Sequence, residues 1–509
     1  MGVDLFGPSG ASELRRALRE ASQVVPLGWS GGGRRFSFQA PLTVVLPAGG
    51  YVLLSPGDDR RYLGQILDRA ILERAGASWT LDVDSPEVKQ AQVEVPIRLL
   101  EGSGELLARV EKDGLTAVGA DESFREADLE PAPETVVERY LDGLHSGSRQ
   151  LDIGRALDAA GRARLRADGF ARHTFLCGQS GAGKTFALGV ILERLLLETD
   201  LPLVILDPNG DFTGLGSARA REEVAVPAAG LLERYRSAAA AVRVFSRAHE
   251  PLRLRFADLA PEMRAAVVGL DPLADREEYG AFLRLAEGRD SLAAVRDAAI
   301  ADLSAEGRLI ALRIGNLGVA DWALWAQPGE ASVLEVAGQA PATVVDLSSL
   351  DTPAEQALAA GAVLGTLWER RADRRPLLVV IDEAHNVCPA RPASALQGVG
   401  RDHVVRIAGE GRKYGLHLLL VTQRPEKLEP NALTQCDNLV LMRLNGAADV
   451  AGIASAFSFV PPSLLAEAPS FGKGEALLAG GIAGRPSRAA FEGRLSPEGG
   501  GDVPTTWAR

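Results

Sequence analysis

The octapeptide Gly178-Gln179-Ser180-Gly181-Ala182-Gly183-Lys184-Thr185 constrains this chain more than any other stretch, because it fills every position of the phosphate-loop pattern G-x-x-x-x-G-K-[ST]. The apolar run Thr174-Phe175-Leu176-Cys177 leads into it as a buried strand, and Phe186, Leu188, Ile191, Leu192 and Leu195 then recur at helical spacing. A strand, a glycine-rich loop and a helix in this order predict a phosphate cradle. Glycines let successive backbone N–H groups curl around the phosphates with no Cβ in the way, and the helix N-terminus adds its dipole. The expected cofactors are ATP and Mg²⁺. Gly178, Ser180, Gly181, Ala182 and Gly183 line the loop, Lys184 reaches the β- and γ-phosphates, and the Thr185 hydroxyl coordinates the metal.

A chain of 509 residues has room for several domains and a large core. Its 46% hydrophobic and 24% charged residues are those of an ordinary globular protein. No apolar run approaches the ~20 residues of a membrane span, and the N-terminal residues lack the basic and apolar regions of a signal peptide, so a cytoplasmic protein with no membrane partner is expected. Cys177, Cys388 and Cys436 have neither zinc spacing nor an even count and read as inert core thiols. The net charge of −12 excludes bulk coating of nucleic acid, while leaving room for DNA in a locally basic channel. Basic charge is nearly all arginine, the lysines being Lys89, Lys112, Lys184, Lys413, Lys427 and Lys473.

Along the chain, a short amphipathic helix carries Leu14, Ala17, Leu18 and Ala21 on one face. Residues 40 to 118 then alternate with period two between glycine and proline turns; Trp79, Leu81 and Val83 share one side of a strand, as do Val93, Val95, Ile97 and Leu99. This predicts a small antiparallel sheet or barrel within a first domain over 1–130. The acidic, proline-containing stretch from Asp121 to about Glu134 reads as a linker with a helix after it. From about Leu151 strands alternate with helices, predicting an α/β domain over 150–495 with a mainly parallel sheet. Strand candidates are 173–177, 202–207, 242–245, 343–347, 377–381, 418–422 and 439–443. The Ala/Leu/Arg-rich region 258–330 is expected to be a helical insertion, and 496–509 a flexible tail.

Leu377-Leu378-Val379-Val380-Ile381-Asp382-Glu383 is an apolar strand closing in two carboxylates, the form of a Walker B motif. Asp382 is expected to hold Mg²⁺ through water, and Glu383 to orient and deprotonate the attacking water. His385 reads either as a packed histidine after the strand or as a catalytic one. Three further segments follow or precede strands: Leu206-Asp207-Pro208-Asn209-Gly210-Asp211-Phe212, Glu410-Gly411-Arg412-Lys413-Tyr414-Gly415-Leu416 and Val421-Thr422-Gln423-Arg424-Pro425. With Arg172-His173 ahead of the phosphate loop, they make the sequence resemble the HerA branch of the FtsK/HerA hexameric ATPases. Gly50-Tyr51-Val52 and Tyr62-Leu63-Gly64-Gln65-Ile66 are similar to the HAS-barrel that precedes that RecA-like core.

The resemblance implies a RecA-like P-loop ATPase core preceded by a small β-barrel, assembled as a homohexamer. It implies that Arg412 reaches the neighbouring subunit's nucleotide; the alternative is a surface arginine in a turn. Arg172 matches a second functional arginine or caps its strand, and Gln423 resembles a γ-phosphate sensor or is a satisfied strand-end amide. Asp207 and Asp211 are placed near the metal or the subunit interface. Long C-terminal extensions brace subunits in some members, and little remains here after Arg494. The implied activity is ATP-driven translocation of double-stranded DNA with a partner nuclease or an antiphage-defence effector, residues 391–401 offering a candidate gripping loop. The alternatives are a regulatory or scaffold ring controlling an effector without DNA transport, and a conjugation or secretion motor.

Overall fold

Alternation of inward apolar and outward polar side chains builds the first of two units. The computed structural model describes residues 25–57, 59–74, 78–82, 90–94, 97–224 and 230–499. The strands of this unit are β1 (Leu27–Ser30), β2 (Arg35–Pro41), β3 (Tyr51–Ser55), β4 (Tyr62–Arg74), β5 (Ser78–Asp82), β6 (Gln90–Glu94), β7 (Ile97–Glu111), β8 (Gly114–Thr116) and β9 (Phe124–Pro131). They pair antiparallel in the order β2-β1-β9-β3-β4-β7, and pairing of β2 with β7 closes the barrel; β8 adds beside β7, and β5 with β6 makes a separate hairpin. Register shifts in the β4–β7 ladder at Leu63/Gly64 and Ile66/Asp68 are bulges that bend the long strands around a small core. Phe36, Phe38, Val52, Leu54, Tyr62, Ile66 and Leu106 fill it. The amphipathic helix expected around Leu14 to Ala21 lies outside the described residues, as do Val83 and Val95.

The acidic stretch read as a linker is instead strand β9, lying between β1 and β3. Its alternation decides this: Phe124, Ala127 and Leu129 are buried while Arg125, Glu126, Asp128 and Glu130 are exposed, so the acidic residues form the wet face of a strand. The helix expected after it spans Glu134–Leu144. This unit runs to Ser146 and includes Leu157–Gly161 and Pro461–Ala466, distant segments that local patterning does not connect to it.

In the second unit, the strands are β10 (Gln150–Ala156), β11 (Arg162–Arg166), β12 (Thr174–Cys177), β13 (Leu203–Asp207), β14 (Val242–Phe245), β15 (Ala342–Asp346), β16 (Leu377–Ile381), β17 (Leu416–Thr422), β18 (Asn438–Met442), β19 (Glu475–Ala479) and β20 (Ser487–Phe491). One sheet has the order β11-β10-β20-β19-β18-β12-β17-β16-β13-β15-β14. From β18 to β14 it is parallel, and β12, β13, β15, β16, β17 and β18 are buried along their whole length, as a sheet covered on both faces requires. The antiparallel edge β19-β20-β10-β11 escaped the sequence reading because β11 and β20 carry half-buried polar residues, β10 is interrupted by Asp152 and Arg155, and the apolar run of β19 is confined to Ala476–Ala479. Between β14 and β15, the expected insertion is helical over Pro261–Val267, Arg276–Ala286, Leu292–Ala301 and Ala305–Leu317, with Ser291 and Ser304 accepting the N-terminal N–H groups of the last two.

Residues 496–499, the start of the expected flexible tail, are instead held against the second unit. Ser496 is fully buried, and the Gly499 N–H donates to the Asp211 carbonyl at 3.0 Å; residues 500–509 lie outside the described residues. No helix among the described residues is long and apolar enough to cross a membrane.

Candidate nucleotide site

Because the central strands are parallel, their C-terminal ends share one edge, where ligands of open α/β sheets bind. There the phosphate loop follows β12, Asp207 ends β13, Asp346 ends β15, Asp382 and Glu383 follow β16, and Gln423 follows β17. The loop carries positive φ at Gly181 (74°) and Gly183 (98°) and passes directly into the helix Lys184–Glu198. Neighbouring segments hold it in place: the Gln179 N–H donates to the Arg443 carbonyl at 2.8 Å, and the Gly474 N–H to the Ala182 carbonyl at 2.8 Å. The Lys184 ammonium donates to the Gln179 carbonyl across the loop at 3.4 Å. Thr185 Oγ1 donates to Asp211 Oδ2 at 3.2 Å, joining the helix start to the loop after β13.

Five carboxylates, those of Asp207, Asp211, Asp346, Asp382 and Glu383, crowd this edge. Burial first, then the charges of Glu383, Asp207 and Asp211, push the Asp382 carboxyl up to about 8. Burial likewise raises Asp207 to about 7, against the backbone N–H groups that it accepts from Asn209, Asp211 and Phe212. Asp207 is thus committed to shaping the turn that presents Asp211. Glu383 sits in the left-handed region at φ 42°, a conformation that costs a non-glycine residue on the order of 1 kcal/mol or more, and its Oε2 is buried without a hydrogen bond. Burial raises its carboxyl, while Lys184 and the Gln423 backbone N–H act to lower it. His385 Nδ1 lies 3.3 Å from Glu383 Oε2 but is hydrogen-bonded to Thr422 Oγ1 at 2.8 Å. Burial, with Arg424 and Lys427, holds the ring below the ordinary histidine range, so it is neutral and matches the packed reading.

Clustered carboxylates with raised pKa, one of them beside a threonine hydroxyl, suit a divalent cation that relieves their mutual repulsion. Among the described residues no group of three or more His, Cys, Asp or Glu is arranged to hold a metal ion.

The two predicted arginines lie at the opposite edge. Arg172 Nη1 and Arg412 Nη1 are 3.3 and 3.2 Å from the same Asp437 Oδ2, all three residues preceding the neighbouring parallel strands β12, β17 and β18. Asp437 gave no sequence signal beyond an isolated acidic residue before a strand. The gripping loop expected over 391–401 is mostly helix: Ser394 caps a helix spanning Ala395–Glu410, and Arg401 pairs with Asp402 at 2.7 Å. All three cysteines are free and buried, burial pushing the Cys388 thiol up to about 12. Sequence reasoning also missed the fully buried pair of Glu193, on the Lys184–Glu198 helix, and Arg494, which reaches the start of that helix; a pairing 301 residues apart leaves no periodic trace.

The family described as "Helicase HerA, central domain" matches residues 151–289. The chain is 24% identical over 411 residues to a protein of Sulfolobus acidocaldarius named DNA double-strand break repair helicase HerA, covering 74% of this chain and 77% of that one. A Pyrococcus furiosus protein of the same name is 24% identical over 387 residues, 61% of this chain and 63% of the relative. Among solved structures, VirB4 of Thermoanaerobacter pseudethanolicus superposes with a TM-score of 0.45 at 15% identity, covering 68% of this chain and 97% of that one. The bacterial conjugative coupling protein TrwBΔN70 gives 0.46 at 13% identity, covering 69% and 91%.

Proposed function

Taking the chain as the HerA-like P-loop ATPase that its sequence and fold make it, we propose that it is a double-stranded DNA translocase working as a hexameric ring, with ATP cleaved at the junctions between subunits. The observation that carries this reading is the separation of its parts. The phosphate loop, Asp382, Glu383 and Gln423 gather at one strand edge, while Arg172 and Arg412 stand at the other. Strand β17 alone, Leu416–Thr422, spans about 20 Å at ~3.3 Å per residue, beyond the reach of an arginine to its own pocket. A neighbouring copy would bring these guanidinium groups to the phosphates, where a planar cation stabilises charge on the transferring group.

In each pocket, the loop N–H groups and Lys184 bind the triphosphate. Thr185 and, through water, Asp382 would hold Mg²⁺, which supplies charge neutralisation to the β- and γ-phosphates when bound. Glu383 takes the proton of the attacking water; its raised pKa makes it a stronger base than an ordinary carboxylate. The Gln423 backbone supports Glu383, and its amide would sense the γ-phosphate. A nuclease or a defence effector acts as partner, the relatives named for double-strand break repair supporting the former.

The pairing of Arg401 with Asp402 offsets the charge of one of the two arginines in the candidate DNA grip and supports the second reading, a ring whose nucleotide state regulates an effector without transport. ATP turnover with and without linear duplex DNA separates the two. Stimulation by DNA that weakens steeply with salt supports translocation. Unchanged turnover, with nucleotide-dependent assembly of an effector, supports the regulatory ring.

A further inference from the structure

We propose that Arg494, on the C-terminal strap of the chain, is a positioning residue that locks Thr185 and Asp211 into the register needed for a Mg²⁺-bound triphosphate. Arg494 is a buried cation that also pairs with Glu498 at 3.5 Å, and its hydrogen bonds to backbone converge on the site. Nη1 donates to the Thr185 carbonyl at 2.9 Å and Nη2 to the Asp211 carbonyl at 3.5 Å. The side chains of those same two residues meet at 3.2 Å. One planar fork therefore ties the backbone of the phosphate-loop helix to that of the loop after β13, and its carbon lies 5.7 Å from the Phe212 ring centroid.

The strap that delivers Arg494 is built into the same helix. The Glu193 carboxylate accepts the N–H groups of Leu495 and Ser496, each at 2.7 Å, and the Ser496 hydroxyl at 2.6 Å. Arg194 Nη2 donates to the Gly493 carbonyl at 2.7 Å. At the far end, the Gly499 N–H reaches the Asp211 carbonyl at 3.0 Å. Room for the guanidinium comes from Gly189: a Cβ there would stand 2.6 Å from Arg494 Cζ and Nε. A buried glutamate, a buried arginine and a helix glycine thus serve one contact at the metal side of the pocket.

The inference rests on the nucleotide reading of this site but not on ring action. The test titrates a fluorescent ATP analogue into the full-length protein with and without Mg²⁺, so wild-type binding checks the nucleotide reading by itself. Arg494→Lys keeps the charge and loses the fork; Gly189→Ala leaves Arg494 in the chain and displaces it. Both are expected to keep Mg²⁺-free affinity and to raise the half-saturating Mg²⁺ concentration about tenfold, as loss of outer-sphere support for a metal ligand does. An unchanged Mg²⁺ requirement, or equal loss of affinity with and without the ion, overturns the proposal. Hydrogen exchange on the unmutated protein decides the matter should the variants not fold. Adding Mg²⁺ to the nucleotide complex should slow exchange at Leu495 and Ser496, and identical exchange in both conditions refutes the coupling.

Discussion

Replacing Arg412 by alanine separates action within one chain from action between two. Arg412 is partly exposed and its side chain pairs with the similarly exposed Asp437, so its loss should cost less than about 1 kcal/mol of stability, the range for exposed pairs. Acting on its own pocket from about 20 Å, one charge contributes about 0.2–0.8 kcal/mol at an effective dielectric of 80 to 20, and salt with a Debye length of about 8 Å reduces that further. Within one chain, then, the substitution should lower the rate by less than about fourfold. Delivered across an interface, an arginine that stabilises phosphoryl transfer accounts for about 10³–10⁵. The assay is ATP turnover of Arg412→Ala, of Lys184→Ala, and of an equal mixture assembled from unfolded or dissociated subunits. Each variant alone should be inactive. In the mixture, an Arg412→Ala pocket beside a Lys184→Ala neighbour regains both halves, at about one quarter of junctions for random assembly in a head-to-tail ring. Fourfold or smaller loss in Arg412→Ala alone, or a mixture no more active than its components, would falsify action across the interface.

Lys184→Ala alone should weaken ATP binding by more than about tenfold, read by nucleotide titration, because its ammonium is the nearest cation to the loop. Glu383→Gln should bind ATP normally and turn over at least ~10²-fold more slowly, and normal single-turnover hydrolysis in that variant would remove Glu383 as the base. In the nucleotide-free protein Asp207, raised to about 7, and Asp382, raised to about 8, keep protons that the unfolded chain gives up at about 4, so their contribution to stability falls as pH climbs from about 4 and is gone above about 8. His173, held down to about 4 mainly by burial, acts in the opposite sense between about 4 and 6.5 and offsets part of that fall. Thermal unfolding across pH 4 to 9 should therefore show its steepest loss above about 6.5, where His173 no longer compensates; Mg²⁺ with nucleotide should flatten it, since the ion favours ionised Asp382.

The chemistry was legible because it sits in contiguous segments. The phosphate loop and the Asp382-Glu383 strand end each declare themselves within eight residues, and a parallel core announces its strands as unbroken apolar runs. What stayed hidden depends on contacts between distant parts of the chain. Strand β9 was hidden by acidic residues that proved to be its solvent face, and of the antiparallel edge strands β10, β11 and β20 carry polar residues along their length while the apolar run of β19 is brief. The reading of 391–401 as a loop gave weight to Pro392 and the glycines, but Ser394 supplies an N-cap and a helix follows. Arg172 and Arg412 were found as motif matches, yet only the fold shows that they share Asp437 and face away from their own pocket. Arg494 and Glu193 carry ordinary charged-residue signals in sequence and become visible only through their complete burial.

The central claim is that the hydrolytic pocket is completed by a second copy of the chain. Turnover per chain, measured together with molecular mass by light scattering across a wide dilution series in Mg²⁺ and ATP, tests it most directly. The account predicts that turnover per chain collapses as the assembly dissociates and returns when it reforms. A single-copy species that hydrolyses ATP at the undiluted rate would contradict it.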